Sequence, residues 1–109
     1  QRALEMVTRA VQAEPDNVAF RDSLGWTLYR LGRYQEAVQQ LQRAASGEAP
    51  DGIILEHLGD ALLRAGNVSQ ALDAWQEAIK TWEGGVEQQR VEQQRVENVR
   101  EKIQQHRSE

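Results

Sequence analysis

The strongest constraint on this sequence is a spacing of 34 residues at which small and aliphatic residues recur. The segment from Asp22 to Ala44 returns one period later, so that Leu24-Gly25 is matched by Leu58-Gly59. The further matches are Leu28 with Leu62, Gly32 with Gly66, Ala37 with Ala71 and Ala44 with Ala78, and, one period earlier, Ala37 with Ala3 and Ala44 with Ala10. A fixed period of this length indicates that the chain is built from stacked supersecondary units.

A Leu-Gly pair early in the unit, a glycine in the middle and two late alanines resemble the tetratricopeptide repeat family. The resemblance covers residues 1 to about 83. It implies an all-α fold, a right-handed solenoid of helical hairpins with one half-repeat and two full repeats. The expected domains are the repeats over 1–83, divided into a trailing half-repeat at 1–17 and repeats at 18–51 and 52–85, and a polar C-terminal capping helix over 86–109.

Composition narrows the classes of function. A chain with 39% hydrophobic and 28% charged residues is ordinary for a soluble protein. Its net charge of −4 provides no basic field to attract nucleic acid. The absence of cysteine excludes disulfides and thiolate metal sites, and no apolar run approaches the ~18 residues of a membrane span. We therefore expect neither nucleic-acid binding nor membrane insertion by this segment.

Helical periodicity divides the repeats into five helices. They are predicted at about Arg2 to Glu14, Val18 to Leu31, Tyr34 to Ser46, Ile53 to Ala65 and Ser69 to Trp82. Gly25 is expected to face Ala37, because small residues at facing positions let two helices approach closely. Trp75 is predicted in the core, and Trp82 is predicted at the junction with the tail.

The helix predicted at 18–31 carries two stripes of residues on different faces. Leu24, Leu28 and Leu31 lie at i, i+4 and i+7 and are expected to pack against the following helix. The second stripe consists of Asp22, Trp26, Tyr29 and Arg30. The helix predicted at 53–65 repeats this arrangement, with Leu55, Leu58 and Leu62 inward and with Glu56, Asp60, Leu63 and Arg64 on the second stripe.

In the family, the first helices of successive repeats line a concave groove that binds protein segments. Carried onto this sequence, the resemblance implies a partner-binding wall of Ala19, Asp22, Trp26, Tyr29, Arg30, Ile53, Glu56, Asp60, Leu63 and Arg64. Trp26 is the expected anchor, since it lies off the leucine stripe and large aromatic residues are frequent hot spots. The alternative is that Trp26 packs against Leu63 or a neighbouring helix and meets no partner.

The family's best-known ligands are the acidic C-terminal tails of chaperones, which Lys, Asn and Arg side chains hold in a clamp. The corresponding positions here are occupied by Asp22, Trp26, Glu56 and Asp60. Carboxylates repel an acidic peptide. We therefore expect a protein or peptide partner with apolar or aromatic anchors and some basic character, and not an acidic chaperone tail.

The sequence contains no motif that indicates catalysis or metal binding. His57 lies beside Glu56 with Asp60 one turn further on, which is a thin set of metal ligands. Phosphate-binding glycine loops, nucleophile elbows and Cys/His pairs are absent from the sequence. We expect no enzyme activity, no metal and no cofactor, and we interpret Glu56 and Asp60 as solvated or partner-facing carboxylates.

The residues after Glu83-Gly84-Gly85 differ in character, because they begin with the five-residue repetition VEQQR VEQQR VENVR. Val96, Val99 and Ile103 form the one stripe with i, i+3, i+7 spacing. We predict one polar helix that caps the last repeat, as terminal repeats require. The alternative is a coiled coil, for which one heptad of apolar positions is too few.

Two functions remain open from the sequence. In one, the chain is an adaptor that binds a partner segment in its groove. In the other, it is a structural module that forms homo-oligomers through Leu4, Val7 and Val11, because the first helix of their repeat is missing and the chain is interpreted as part of a longer protein. The sequence around Asp22 and the segment EHLGD are similar to the C-terminal repeats of bacterial envelope and lipoprotein scaffolds. This resemblance implies a periplasmic or lipoprotein-anchored location.

Overall fold

Six α-helices make up the part of the chain that the computed structural model describes, which is residues 2–47, 50–84, 91 and 93–107. They are α1 (Arg2–Ala13), α2 (Val18–Arg30), α3 (Tyr34–Ala44), α4 (Gly52–Arg64), α5 (Val68–Gly84) and α6 (Gln93–His106). Each helix packs mainly against its neighbours in the chain. The shortest dimension of the molecule is 22 Å, which matches two layers of helices about 10 Å in diameter. The predicted all-α solenoid of helical hairpins is confirmed.

Local signals in the sequence set the boundaries of these helices. α2 follows Asn17 and α4 follows Asp51, and the side chain of each accepts a hydrogen bond from a backbone N–H in the first helical turn. Such N-caps satisfy a donor that the helix itself cannot. The turns inside the two hairpins contain Gly32 and Gly66, with φ of 80° and 92°. Residues with a side chain rarely adopt this left-handed conformation, so both hairpins turn in the same way.

The core lies between the two layers of helices and is formed by the predicted inward stripes. Trp75 is 1% exposed and Leu41 is fully buried, so the core position predicted for Trp75 is confirmed. Leu31 differs from its stripe because it is the C-cap residue of α2 and is 40% exposed. The prediction that Leu31 packs inward is therefore wrong, and the stripe of α2 ends at Leu28.

Two glycines lie where the helices of each hairpin come closest. A Cβ atom at Gly25 would be 2.6 Å from Cγ of Leu41, and one at Gly59 would be 2.3 Å from Cδ1 of Trp75. Neither space admits a methyl group without movement of the neighbouring side chain. The close approach predicted at Gly25 is confirmed, but the side chain nearest to it belongs to Leu41 and not to Ala37.

Trp82, near the end of α5, packs against the beginning of α4. It is 4% exposed, and its Nε1 atom would lie 2.3 Å from a Cβ atom placed on Gly52. Trp82 therefore packs against the first residue of α4, a contact that the sequence pattern did not predict.

α6 packs against α5 and covers the end of the second full repeat. Val96, Val99 and Ile103 are 3%, 0% and 5% exposed, which confirms the predicted stripe. Glu97 and Arg100 form an i, i+3 ion pair on α6, with 3.1 Å between Oε1 and Nη1. The tail helix was predicted from residue 86 onward, and residues 86–90, 92, 108 and 109 lie outside the described part of the chain.

Candidate functional site

The first helices of the two full repeats, α2 and α4, carry the residues predicted to bind a partner. His57 of α4 joins the two helices, because its Nδ1 atom lies 3.0 Å from Oδ1 of Asp22. The imidazole ring also stacks on Trp26, with 4.3 Å between the ring centroids. His57 was not predicted as a wall residue. The only feature of the sequence that could have indicated His57 as a wall residue was its position beside Glu56.

Trp26 belongs to a row of aromatic rings. Tyr29 stacks on Trp26 almost in parallel, with 4.6 Å between the centroids and 9° between the planes. Tyr34 of α3 meets Tyr29 edge-on, with centroids 5.5 Å apart. Arg64 completes the row, since its Nη2 atom donates to the Tyr34 hydroxyl at 3.1 Å and its Cζ atom lies 5.3 Å from the centre of that ring. These interactions fix the orientation of the predicted wall residues Tyr29 and Arg64.

Trp26 therefore has aromatic neighbours inside the chain. It is half-buried, and its contact across the repeat boundary is His57, whereas Leu63 is half-buried against the core. Burial of the phenol raises the pKa of Tyr29, and the nearby charge of Asp60 adds to that effect. The wall therefore contains a row of stacked rings that is held by contacts within the chain itself.

Asp60 occupies the position in α4 that Trp26 occupies in α2, but its environment is different. Its Oδ1 atom accepts hydrogen bonds from Nε1 of Trp75 at 3.1 Å and from Nζ of Lys102 at 2.9 Å. A buried indole N–H needs an internal acceptor, and Asp60 provides it. Burial raises the pKa of the Asp60 carboxyl, although the hydrogen bond and positive charge of Lys102 act in the opposite direction.

Glu56 is bound to α6 as well. Its carboxylate oxygens lie 2.7 Å from Nη1 of Arg95 and 3.3 Å from Nζ of Lys102. Burial alone lowers the pKa of Lys102, but its hydrogen bond to Asp60 and the charges of Asp60 and Glu56 raise that pKa above its ordinary value. The side chains of Glu56 and Asp60 are 12% and 13% exposed. In the structure, these two carboxylates thus face α6.

A cleft of about 450 Å³ remains open beside the N-terminal ends of α2 and α4. We call it the N-terminal cleft, and it is lined by Val18, Ala19, Asp22, Asp51, Ile53 and Ile54. Three of these residues, Ala19, Asp22 and Ile53, were predicted to bind a partner. Val18 is 48% exposed, so the cleft combines accessible apolar surface with two carboxylates.

The residues predicted for self-association lie on α1. Leu4, Val7 and Val11 are partly buried against the core. No residue of α1 is fully buried, and Met6 is 66% exposed. Arg30, the last predicted wall residue, is exposed at the end of α2.

The polar and aromatic side chains described above interact through hydrogen bonds, ion pairs and stacking. Within residues 2–47, 50–84, 91 and 93–107, no group of three or more His, Asp or Glu side chains is arranged to hold a metal ion. In the same part of the chain, no helix is both long and apolar enough to traverse a lipid bilayer. Aromatic stacking, ion pairs with α6 and an apolar cleft are the features of the surface formed by α2 and α4.

A solenoid of helical hairpins with such a wall on its first helices defines a class of repeat proteins. The family model of the tetratricopeptide repeat matches residues 1–53 and 54–89. The chain belongs to the tetratricopeptide repeat family. Repeats of this family are generally protein–protein interaction modules on a non-catalytic fold. The sequence matches no curated protein.

Proposed function

We propose that this chain is a scaffold or adaptor that holds a segment of a partner protein along the wall formed by α2 and α4. The observation that carries the proposal is the N-terminal cleft, where Ala19, Asp22 and Ile53 line one accessible surface. Concave surfaces with apolar walls and a few polar groups are typical binding sites. On this proposal the chain acts by binding and not by catalysis.

The course of the bound segment follows from which parts of the wall are already covered. α6 lies over Glu56 and Asp60 through Arg95 and Lys102, so these two carboxylates are not available to a partner. The proposed segment therefore starts in the N-terminal cleft and runs along α2 past Trp26 towards the exposed Arg30. Asp22 repels acidic groups at the start of this path, which disfavours acidic chaperone tails and nucleic acid as ligands.

Site-specific photo-crosslinking tests this proposal. A photoreactive amino acid at Ala19, inside the cleft, should form a covalent adduct with the partner protein. The matched control is Gln39, which is exposed on α3 and outside the wall, and it should form no adduct with that protein. Equal amounts of adduct at both positions, or an adduct at Gln39 alone, would show that the wall is not the binding site.

Self-assembly is the second candidate function, and the exposure of Met6 on α1 favours it. On this proposal two copies pair through Leu4, Val7 and Val11, which are only partly buried within one copy. Light scattering over a concentration series should then show dimers that the double substitution Leu4→Glu and Val11→Glu converts to monomers. A wild-type chain that stays monomeric at millimolar concentration would contradict this candidate.

A further inference from the structure

The chain contains its own example of a segment held on an acidic wall of this fold. In α6, Arg95 is adjacent to the buried Val96, and Lys102 is adjacent to the buried Ile103. Both cations reach carboxylates of α4, at 2.7 Å for the pair with Glu56 and 2.9 Å for the Lys102 pair with Asp60. The recognised element is thus an aliphatic residue next to a cationic one, with the aliphatic side chain buried and the cation on a carboxylate.

The N-terminal cleft presents the same combination of groups one repeat earlier. Asp22 stands 34 residues before Glu56, and Asp51 provides a second carboxylate in the lining. The apolar surface between them comes from Val18, Ala19, Ile53 and Ile54. Among the described residues, those that line this cleft include no cationic side chain.

The charge at the cleft is negative even after the local helix ends are included. The N-termini of α2 and α4 each contribute about +0.5 of an elementary charge, whereas the two carboxylates contribute −1 each, which leaves a balance of about −1. Asp22 contacts His57 through Oδ1, and Asp51 caps α4 through Oδ1. Each of these contacts uses one carboxylate oxygen, and charge complementarity at the cleft favours a ligand cation over an anion.

We propose that the N-terminal cleft binds a partner segment at an aliphatic residue that is adjacent to Lys or Arg. The aliphatic side chain lies on Val18 and Ile53, and the cation lies between Asp22 and Asp51. This inference rests on the proposed function and specifies the chemistry of the partner segment at the same wall.

Titration of the ¹⁵N-labelled chain with three synthetic peptides tests the inference. The probe is a short Gly/Ser peptide with one central Leu-Arg pair, and the comparison peptides carry Leu-Glu or Ser-Arg at the same place. The Leu-Arg peptide should shift the amide resonances of Ala19, Asp22 and Ile53. Its affinity should exceed that of each comparison peptide by roughly tenfold, the scale of one buried aliphatic side chain or of reversed charge at a carboxylate pair.

A charge-neutral variant isolates the role of the two carboxylates. The double substitution Asp22→Asn and Asp51→Asn should weaken the affinity for the Leu-Arg peptide by roughly three- to tenfold. Asn at position 51 keeps the N-cap of α4. The matched control is Asp73→Asn, which removes one charge from an exposed position of α5 outside the cleft. Affinity in that control should stay unchanged.

The results of the peptide titration show which kind of molecule occupies the N-terminal cleft. Equal binding of the Leu-Glu peptide, or shifts centred on α1 or α6, would overturn the inference. Shifts at the cleft that grow with protein concentration in the absence of peptide would assign it to a second copy and overturn the inference too. If no peptide binds, the inference fails while an Ala19 crosslink to the protein partner still supports the proposed function, so the two failures are distinguishable.

Discussion

At the scale of single residues, the two full repeats differ at a linked pair of positions. The first repeat has Trp26 and Leu41 where the second has Asp60 and Trp75. The buried indole N–H of Trp75 donates to Asp60, whereas Leu41 has no polar atom that needs a partner. The position of Trp26 is thus free to carry an aromatic residue, and Asp60 is required for the packing of its own repeat.

Asp60→Ala should lower the free energy of unfolding by about 2 to 3 kcal/mol, because it leaves the buried N–H of Trp75 unsatisfied and removes one partner of Lys102. Urea denaturation monitored by circular dichroism measures this change. Glu77→Ala is the control, since Glu77 forms an exposed ion pair with Lys80 and its loss should cost under about 0.5 kcal/mol. Equal effects of the two substitutions would show that Asp60 is not a structural acceptor.

Gly59→Ala should also destabilise the fold, by up to about 2 kcal/mol. The added methyl group would overlap the indole of Trp75, and such overpacking, at about 1 to 3 kcal/mol, outweighs the gain of about 1 kcal/mol that Ala brings to a helix. At Gly47 no atom of the described residues lies within 4 Å of the added atom, so Gly47→Ala should leave the midpoint of urea denaturation nearly unchanged. A shift of that midpoint to higher urea in Gly59→Ala would contradict the close approach.

At the scale of elements, α6 acts as a terminating version of a first helix. Val96, Val99 and Ile103 have the same 3, 4 spacing as the buried Leu55, Leu58 and Leu62 of α4. On this alignment Arg100 takes the position of Gly59, which in α4 admits the next helix at close range. A long exposed side chain there opposes the approach of a further helix, so α6 covers the second repeat and presents a polar surface.

The pairing of Lys102 predicts a loss of stability at alkaline pH. Because the folded state raises the pKa of Lys102 above the ordinary 10.5, its contribution is complete below that value and is lost as the pH rises through the folded pKa. The raised pKa of Tyr29, ordinarily 10.0, acts in the same direction. Unfolding free energies measured from about pH 8 to about pH 11 should therefore fall with pH.

Lys102→Met separates the two contributions to this alkaline loss. It removes the amine but keeps an aliphatic stem against α5, so the variant should be less stable near neutral pH and should show a shallower decline above about pH 10. The remaining slope belongs to Tyr29 and to any other group whose pKa differs between the folded and unfolded states. An unchanged slope in Lys102→Met would mean that the ion pairs of Lys102 with Glu56 and Asp60 do not contribute to stability.

Sequence periodicity predicted the helices well because each repeat has local signals at both ends. The N-caps and turn glycines place the boundaries of α2 and α4 within one or two residues of those observed. The contact between α6 and α4 was missed because α6 is displaced from the 34-residue period: Val96 follows Leu55 by 41 residues. Periodicity alone therefore did not place Lys102 opposite Asp60.

The candidate site was predicted in part for the same reason. Ala19, Asp22 and Ile53 meet in the N-terminal cleft because they occupy the first turns of α2 and α4, where the helical register is secure. Val18, the first residue of α2, and Asp51, the N-cap of α4, also line the cleft and were not predicted as wall residues. Which carboxylates are neutralised inside the chain depends on contacts between distant segments, and helical spacing does not encode those contacts.

At the scale of the whole molecule, burial is distributed unevenly along the solenoid. α1 has no fully buried residue, α4 has seven and α5 has five. The hairpin of α4 and α5 is covered by α3 on one side and by α6 on the other. In a stack of repeats each unit is stabilised by its neighbours, so stability should decrease from this hairpin towards α1.

Native-state hydrogen exchange should reveal this gradient. Amides of α4 and α5 should exchange only through global unfolding, whereas amides of α1 should exchange through a local opening at least about 2 kcal/mol lower in free energy. Local opening of α1 exposes the partly buried Leu4, Val7 and Val11 and no fully buried residue of α1 itself, so its free-energy cost should be low. Exchange followed by mass spectrometry after proteolysis into helix-sized peptides measures the order.

The substitution Ile79→Ala, on α5, checks that the opening of α1 is local. It should increase exchange in α4 and α5, which exchange through global unfolding, and leave α1 unaffected, because a local opening of α1 leaves the contacts of Ile79 with the core intact. Protection of α1 equal to that of α4 in a monomeric chain would mean that α1 opens only with the whole fold. In that case Leu4, Val7 and Val11 would be fully engaged within one copy, and the driving force proposed for self-association through α1 would be absent.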